Sequence, residues 1–244
     1  QQRNADAYVI AAIDAQALCP AIAQLVEQGK PVIDLVNGID CPGLSASSSV
    51  DFADMTGAAL AYIDNHRPSG PFSLGWLPGP QGAGWVLDSE KALRAAEQSK
   101  PMTVHHGGYA PVDRASQAQL VRELLRQHPR LDFLLGNAEA AGFAAQLVQT
   151  SGQNYQARVL ATYTTERIVE QIRDGFIVAA PTDSPVLQAR IAVDLAVRAL
   201  EGRAHARRVS PVIELLDQTS LELFDISRLM PPPEHWMIRR ELPQ

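Results

Sequence analysis

The side chains best suited to chemistry in this sequence are aromatic residues at the ends of predicted strands. Trp85 follows the glycine-rich loop Gly79–Gly84, and Tyr163 ends the predicted strand over residues 159–163. Either ring alone is equally suited to packing beneath its own loop. Two rings at converging strand ends can instead form an aromatic box, which attracts a methylated or quaternary nitrogen through cation–π interaction.

Polar residues stand at the ends of three further predicted strands, namely Asn37, Asn137 and Asp183. Ligands of open α/β sheets bind outside the carboxyl ends of the strands, so these side chains mark a candidate pocket. Asp183 is suited to three roles: a general base, an acceptor for a ligand hydrogen bond, or a cap for the next helix. Pro185 favours the cap, because proline is preferred in the first turn of a helix.

Catalytic and cofactor-binding motifs do not occur. The spacing of Gly79, Gly82 and Gly84 does not match a dinucleotide-binding loop, and the sequence contains neither a phosphate loop nor a nucleophile elbow. His105 and His106 are adjacent on a predicted strand and point to opposite faces, which indicates a structural or surface role rather than a metal site. The sequence therefore predicts a protein that is not an enzyme and uses no cofactor or metal.

Composition narrows the class of partner. The 244 residues carry a formal net charge of −6, with 46% hydrophobic and 20% charged residues. This balance is typical of a globular protein and argues against a nucleic-acid partner. No apolar run is long enough to span a membrane, so we expect no membrane insertion. The sequence begins at Gln1 without a visible signal peptide, and we expect a processed product or a fragment.

Two cysteines, Cys19 and Cys41, follow the first and second predicted strands. In a parallel sheet these positions are neighbours at one edge, so a disulfide is geometrically possible and would indicate an oxidising compartment. Two unrelated thiols are the alternative, and the sequence leaves both open.

Apolar strands alternate with amphipathic helices along most of the chain, which predicts an α/β fold with parallel sheets. Predicted strands cover residues 8–13, 31–36, 72–77, 102–106, 131–135, 159–163, 176–180 and 211–216. The serine-rich residues 45–49 are predicted to be a connection, and Arg67–Pro71 an interlobe linker. Trp76 is predicted to lie in the core, and Trp236 in the tail to be an interface anchor or a lid.

Three stretches carry a family resemblance. Residues 31–40, residues 77–85 and residues 161–163 resemble the TorT group of trimethylamine N-oxide sensors, within the type I, or sugar-type, periplasmic binding protein family. The match runs in order over nearly the whole chain. The stretches around Asn37 and Trp85 are fairly specific.

The resemblance implies a two-lobed type I periplasmic-binding-protein fold with ligand in the cleft. The expected function is that of a periplasmic sensor, which binds trimethylamine N-oxide or a similar methylated amine and signals to a membrane sensor histidine kinase. Trp85 and Tyr163 are then two walls of an aromatic cage, and Asn37, Asn137 and Asp183 face the cleft. We expect an N-lobe of residues 1–70 plus 185–203, and a C-lobe of residues 71–184 plus 204–244.

The sequence departs from this family at its start. Relative to the family pattern, the N-lobe lacks its first strand–helix–strand, and Gln1–Asp6 resembles the end of the following helix. The remaining sheet is therefore expected to expose an edge strand. Two alternative functions stay open: a sugar-binding protein of an ABC transporter, and the effector domain of a LacI-type repressor.

Overall fold

The computed structural model describes residues 5–67, 69–152 and 155–231. The strands are β1 Tyr8–Ile10, β2 Val32–Val36, β3 Ala46–Ser49, β4 Phe72–Leu77, β5 Met102–His106, β6 Phe133–Gly136, β7 Arg158–Ala161, β8 Ala180–Thr182 and β9 Glu214–Leu216. The helices are α1 Ala15–Glu27, α2 Phe52–His66, α3 Gly84–Ser99, α4 Arg114–Gln127, α5 Ala138–Thr150, α6 Glu166–Arg173, α7 Pro185–Leu200 and α8 Gln218–Leu223. A short 3₁₀ turn, Ile226–Arg228, follows α8.

The first lobe is a parallel sheet in the order β1-β2-β3, with a helix on each face. Val32 and Ile33 are adjacent in β2 and therefore point to opposite faces. Val32 packs with Ile22 of α1, whereas Ile33 packs with Leu195 of α7. These residues of β2 are buried on both sides, as its largely apolar sequence predicts.

The second lobe is a parallel sheet in the order β5-β4-β6-β7. Leu134 faces a core formed with α4, α5 and α6, while Leu135 faces the opposite core with α2 and α3. Trp76 is 1% exposed in that second core, which confirms its predicted place. The two layers of helices confirm the predicted α/β architecture of two lobes with parallel sheets.

The chain passes into the second lobe earlier than predicted. The apolar face of α2, with Leu60 and Ile63, packs against Leu74 of β4 in the second lobe. The crossing therefore lies at residues 50–51, and Arg67–Pro71 joins two elements of the same lobe. A stretch rich in proline and glycine indicates a turn, and it does not tell which lobe the flanking elements belong to.

Two further crossings follow in the described residues. Helix α7 returns to the first lobe, as predicted, where Arg208 then pairs in parallel with Ser47 of β3. The chain crosses again at residues 210–213 to reach β9, which pairs antiparallel with β8. Residues 207–209 thus belong to the first lobe rather than the predicted C-lobe. Trp236 and the rest of the predicted tail beyond residue 231 lie outside the described residues.

The serine-rich stretch is a strand and not a connection. Ser47 donates its hydroxyl hydrogen to Oδ2 of Asp34 at 2.6 Å, and its oxygen lies 2.9 Å from that of Ser49. The buried carboxylate of Asp34 accepts a hydrogen bond from Ser47, and this bond allows the small polar side chains of β3 to be placed inside the lobe. Of the helix end expected over Gln1–Asp6, Ala5 and Asp6 are not helical, and residues 1–4 lie outside the described residues.

Cys19 and Cys41 form a disulfide, with their Cα atoms 5.4 Å apart. Cys19 lies within α1, and Cys41 lies in the loop after β2. The bond decides between the two alternatives that the sequence left open, and it ties the outer helix of the first lobe to a loop near the cleft.

Candidate ligand-binding cleft

A cavity of about 600 Å³ lies between the lobes, at the carboxyl ends of their strands. The first lobe contributes Ile13, Val36 and Asn37 to its lining. The second lobe contributes aromatic side chains and the loop of Pro111 and Val112. The volume of a cavity between two lobes changes when the lobes move. Such a cavity is suited to a ligand that contacts both lobes.

Three aromatic rings form one wall of the cavity. The ring centroid of Trp85 lies 6.1 Å from that of Tyr163, with an interplanar angle of 86°. On its other side, Trp85 lies 6.1 Å from Phe52 at an angle of 48°. The structure thus brings together the two rings that the sequence singled out. Trp85 is the second residue of α3 and so lies in the first turn of that helix.

Phe52 is the ring that sequence reasoning missed. It is the first residue of α2, directly after the Asp51 cap. Asp51 accepts a hydrogen bond from the backbone amide of Ala53 at 2.7 Å, which fixes the start of the helix. No sequence signal marked this position, because residues 45–49 are predicted to be a connection, and only the structure places a strand, β3, before Phe52.

Glycine creates the space in which the indole lies. Gly79 has a φ of +125°, and a Cβ atom added there would lie 2.6 Å from Cη2 of Trp85. No other residue type combines this backbone conformation with such a close approach. Gly79 therefore determines where the ring of Trp85 can be placed.

Tyr163 presents a neutral phenol to the cavity. Burial, with smaller contributions from the charges of Glu139 and Asp183, raises the pKa of Tyr163 to about 12. The backbone amide of Ala138, at the start of α5, donates a hydrogen bond to the phenol oxygen, which lowers the pKa and offsets part of this shift. At neutral pH the hydroxyl keeps its hydrogen and can donate it to a ligand.

Asp183 places a carboxylate at the cavity while being only 6% exposed. Nε2 of Gln188 donates to Oδ2 of Asp183 at 2.6 Å and to its carbonyl oxygen at 2.8 Å. Burial raises the pKa of Asp183, and the bond from Gln188 counteracts part of this shift. The side chain does not cap α7: Ser184 holds the cap position, and Pro185 follows in the first turn as predicted.

Asn37 also lines the cavity, beside a strained residue. Its Nδ2 donates to the carbonyl oxygen of Ala12 at 2.7 Å, which joins the loops that follow β1 and β2. Val36 has a φ of +68°, a conformation that is costly for a β-branched residue. Strain of this kind at a cavity wall is typical of positions that the surrounding structure holds for function.

Asn137 does not line the cavity, in contrast to its predicted role. It is fully buried and caps α5, accepting a hydrogen bond from the amide of Ala140 at 3.2 Å. Its Nδ2 donates to the carbonyl oxygen of Leu77 at 3.2 Å and to Oε1 of Gln117 at 3.0 Å. The position at a strand end was identified correctly, but the hydrogen bonds of the amide are made inside the lobe.

The two adjacent histidines point in different directions. The ring centroid of His105 lies 3.9 Å from that of His128 at an interplanar angle of 34°, and the ring centroid of His106 lies 4.7 Å from that of Tyr109. Within residues 5–67, 69–152 and 155–231, no group of three histidine, cysteine or acidic side chains is placed to hold a metal ion. In the same ranges, no helix combines the length and apolarity needed to cross a bilayer.

A sequence profile of the periplasmic binding protein domain matches residues 1–204. The chain belongs to this family. The Escherichia coli K12 protein named periplasmic protein TorT is 28% identical over 204 residues, which are 83% of this chain and 58% of TorT. The D-ribose/D-allose-binding protein of Pseudomonas aeruginosa is 24% identical over 218 residues, covering 86% of this chain and 67% of that protein. The chain thus spans little more than half the length of TorT.

Solved structures give the same family assignment. An ABC transporter solute-binding protein from Bradyrhizobium sp. BTAi1, with bound bis-tris, is 35% identical with a TM-score of 0.83, covering 96% of this chain and 71% of its own. The TorT structure in complex with the TorS sensor domain and trimethylamine N-oxide is 22% identical with a TM-score of 0.82, covering 96% of this chain and 79% of its own. At that identity the second match supports the fold alone.

Proposed function

We propose that this protein is a periplasmic sensor that binds a small methylated amine, such as trimethylamine N-oxide, between its two lobes. The observation that carries the proposal is the continuous wall of Phe52, Trp85 and Tyr163 in the interlobe cavity. Aromatic faces attract the partly positive methyl groups around a substituted nitrogen. The similarity to TorT supports this ligand class, because TorT has been crystallised with trimethylamine N-oxide.

Binding is converted into a signal by closure of the lobes. Aromatic side chains of the second lobe and Asn37 of the first would contact one ligand, so binding favours the closed arrangement. Within the described residues, three chain segments connect the lobes, at residues 50–51, 183–184 and 210–213, and these would bend. We propose that the sensor domain of a membrane histidine kinase recognises the closed form, as the TorS–TorT complex suggests by analogy.

A sugar receptor for an ABC transporter is the second candidate. The D-ribose/D-allose-binding relative favours it, and Tyr163, Asn37 and Asp183 offer hydrogen-bonding groups to a polyol. Sugar sites need many charged and amide groups, however. No lysine or arginine belongs to the described residues that line the cavity, and Asn37 is the one amide side chain there.

Isothermal titration calorimetry distinguishes the two candidates. We expect heat of binding with trimethylamine N-oxide and none with D-ribose. The Trp85→Ala variant should lose the binding, whereas Trp76→Phe, which alters a ring in the core of the second lobe, should retain it. Heat with D-ribose alone would replace the sensor proposal by the sugar receptor.

A further inference from the structure

The interlobe cavity carries one unbalanced charge. Asp183 is the only charged residue among the described residues that line it. No ion pair of Asp183 is found in the described parts of the chain, and its side chain is 6% exposed. A buried carboxylate without a counter-charge is unfavourable. The bond from the neutral amide of Gln188 compensates only part of this cost.

The carboxylate of Asp183 and the aromatic wall line the same interlobe cavity. Tyr163 and Asp183 both line the cavity, and the charge of Asp183 acts on the phenol. Tyr163 is in turn in edge-to-face contact with Trp85. The negative faces of aromatic rings and a carboxylate attract the same kind of group, a positively charged and weakly hydrated ammonium.

We propose that the cleft selects ligands of net positive charge, namely methylated ammonium ions, and that Asp183 is the residue that determines this selectivity. The inference rests on the proposed function, in which the cleft binds methylated amines, and it narrows the class of amine. Trimethylamine N-oxide carries a negative oxygen beside its positive nitrogen, so its net charge is zero. An ammonium ion gains the full attraction of the carboxylate, whereas the N-oxide and neutral polyols do not.

Two ligands of nearly equal shape but different charge test whether the charge of the ligand determines its affinity. Choline has a trimethylammonium group, and its uncharged analogue has carbon in place of the nitrogen with nearly the same shape. We expect titration calorimetry to give a dissociation constant for choline at least tenfold lower than for the carbon analogue and for trimethylamine N-oxide. A tenfold ratio corresponds to about 1.4 kcal/mol.

The Asp183→Asn variant tests whether this residue is responsible. The amide oxygen of asparagine can still accept the bond from Gln188, so the shape of the cavity is maintained. We expect the variant to bind choline and the carbon analogue with dissociation constants within about threefold of each other. The control is Asp51→Asn, which removes a carboxylate next to Phe52 but outside the cavity lining and keeps a side chain able to cap α2. It should retain the preference for choline.

The outcomes distinguish a failure of the charge selectivity from a failure of the proposed function. If wild-type protein binds trimethylamine N-oxide more tightly than choline, or Asp183→Asn keeps the tenfold preference, the charge selectivity is wrong while the amine sensor stands. If neither amine binds and D-ribose does, the proposed function itself is wrong. If Asp183→Asn does not fold, as seen by circular dichroism, the comparison of choline with its carbon analogue on the wild-type protein still decides the selectivity.

Discussion

At the scale of single residues, the cleft is built by side chains whose surroundings fix them before a ligand arrives. The indole of Trp85 lies over Gly79, between the rings of Phe52 and Tyr163. The carboxylate of Asp183 is held by Gln188 on one side. Preorganised groups of this kind bind ligand without the entropy loss of ordering them.

Gly79→Ala tests the space beneath the indole. The added Cβ would overlap with Trp85, so we expect displacement of the ring, a changed tryptophan emission spectrum and a loss of ligand affinity. Gly82→Ala is the matched control, because Gly82 has a φ of +80° and nothing lies within 4 Å of its added Cβ. Both variants should lose about 1–2 kcal/mol of unfolding free energy from backbone strain. Equal ligand affinity in the two variants would contradict this role of Gly79.

Asp183 links stability to pH with a definite sign. Its pKa in the folded protein is raised by burial, so the folded state holds the proton more tightly than the unfolded chain. The ionised carboxylate therefore destabilises the unliganded fold above its raised pKa, and this penalty disappears below the unfolded value of about 3.9. We expect Asp183→Asn to have a higher free energy of unfolding than wild type at neutral pH. The difference should vanish at about pH 3 in urea titrations of both proteins.

At the scale of elements, a buried pair of amides holds one wall of the cleft. Nε2 of Gln117, on α4, donates to the carbonyl oxygens of Ala110 at 3.1 Å and Pro111 at 3.0 Å. Its Oε1 accepts from Asn137, the cap of α5. The amide of Ala110 donates to the carbonyl of Gly79 at 3.0 Å. The pair thus connects the starts of two helices to the loop that carries Pro111.

Gln117→Leu removes this connection at nearly constant volume. Because Asn137 and two carbonyl oxygens lose a buried partner, we expect a loss of about 2–4 kcal/mol in the free energy of unfolding. The loop of Pro111 should move and ligand affinity should fall. Gln127→Leu, at the exposed end of the same helix, should change stability by less than about 0.5 kcal/mol in the same urea titration. Similar losses in both variants would show that the buried pair has no special role.

At the scale of the whole molecule, the lobes have separate cores, which three crossings join in the part of the chain that the structure describes, and a disulfide reinforces the first lobe. The disulfide between Cys19 and Cys41 joins residues 22 positions apart and ties α1 to the loop that follows β2. It constrains the smaller of the two lobes and leaves the crossing segments free. Stability and closure are therefore located in different parts of the molecule.

Removing the disulfide should affect stability more than binding. A loop of this length predicts a loss of about 3 kcal/mol in the free energy of unfolding for the Cys19→Ser, Cys41→Ser double variant. Thermal unfolding with and without reductant checks this prediction. Reductant should lower the unfolding temperature of wild type and leave that of the double variant unchanged. A wild-type protein insensitive to reductant would argue against a stabilising bond.

The sequence alone determined the alternation of strands and helices and the parallel α/β architecture. It left open whether Trp85 and Tyr163 pack beneath their own loops or meet, and the division into two lobes was implied by the family resemblance. Apolar runs and helical periodicity are local patterns, and parallel strands necessarily direct their carboxyl ends to one edge. Periodicity shows that a face is buried, but not which surface covers it. Only the tertiary structure therefore decided that α2 belongs to the second lobe, that Phe52 completes the aromatic wall, and that the hydrogen bonds of Asn137 are made inside its own lobe.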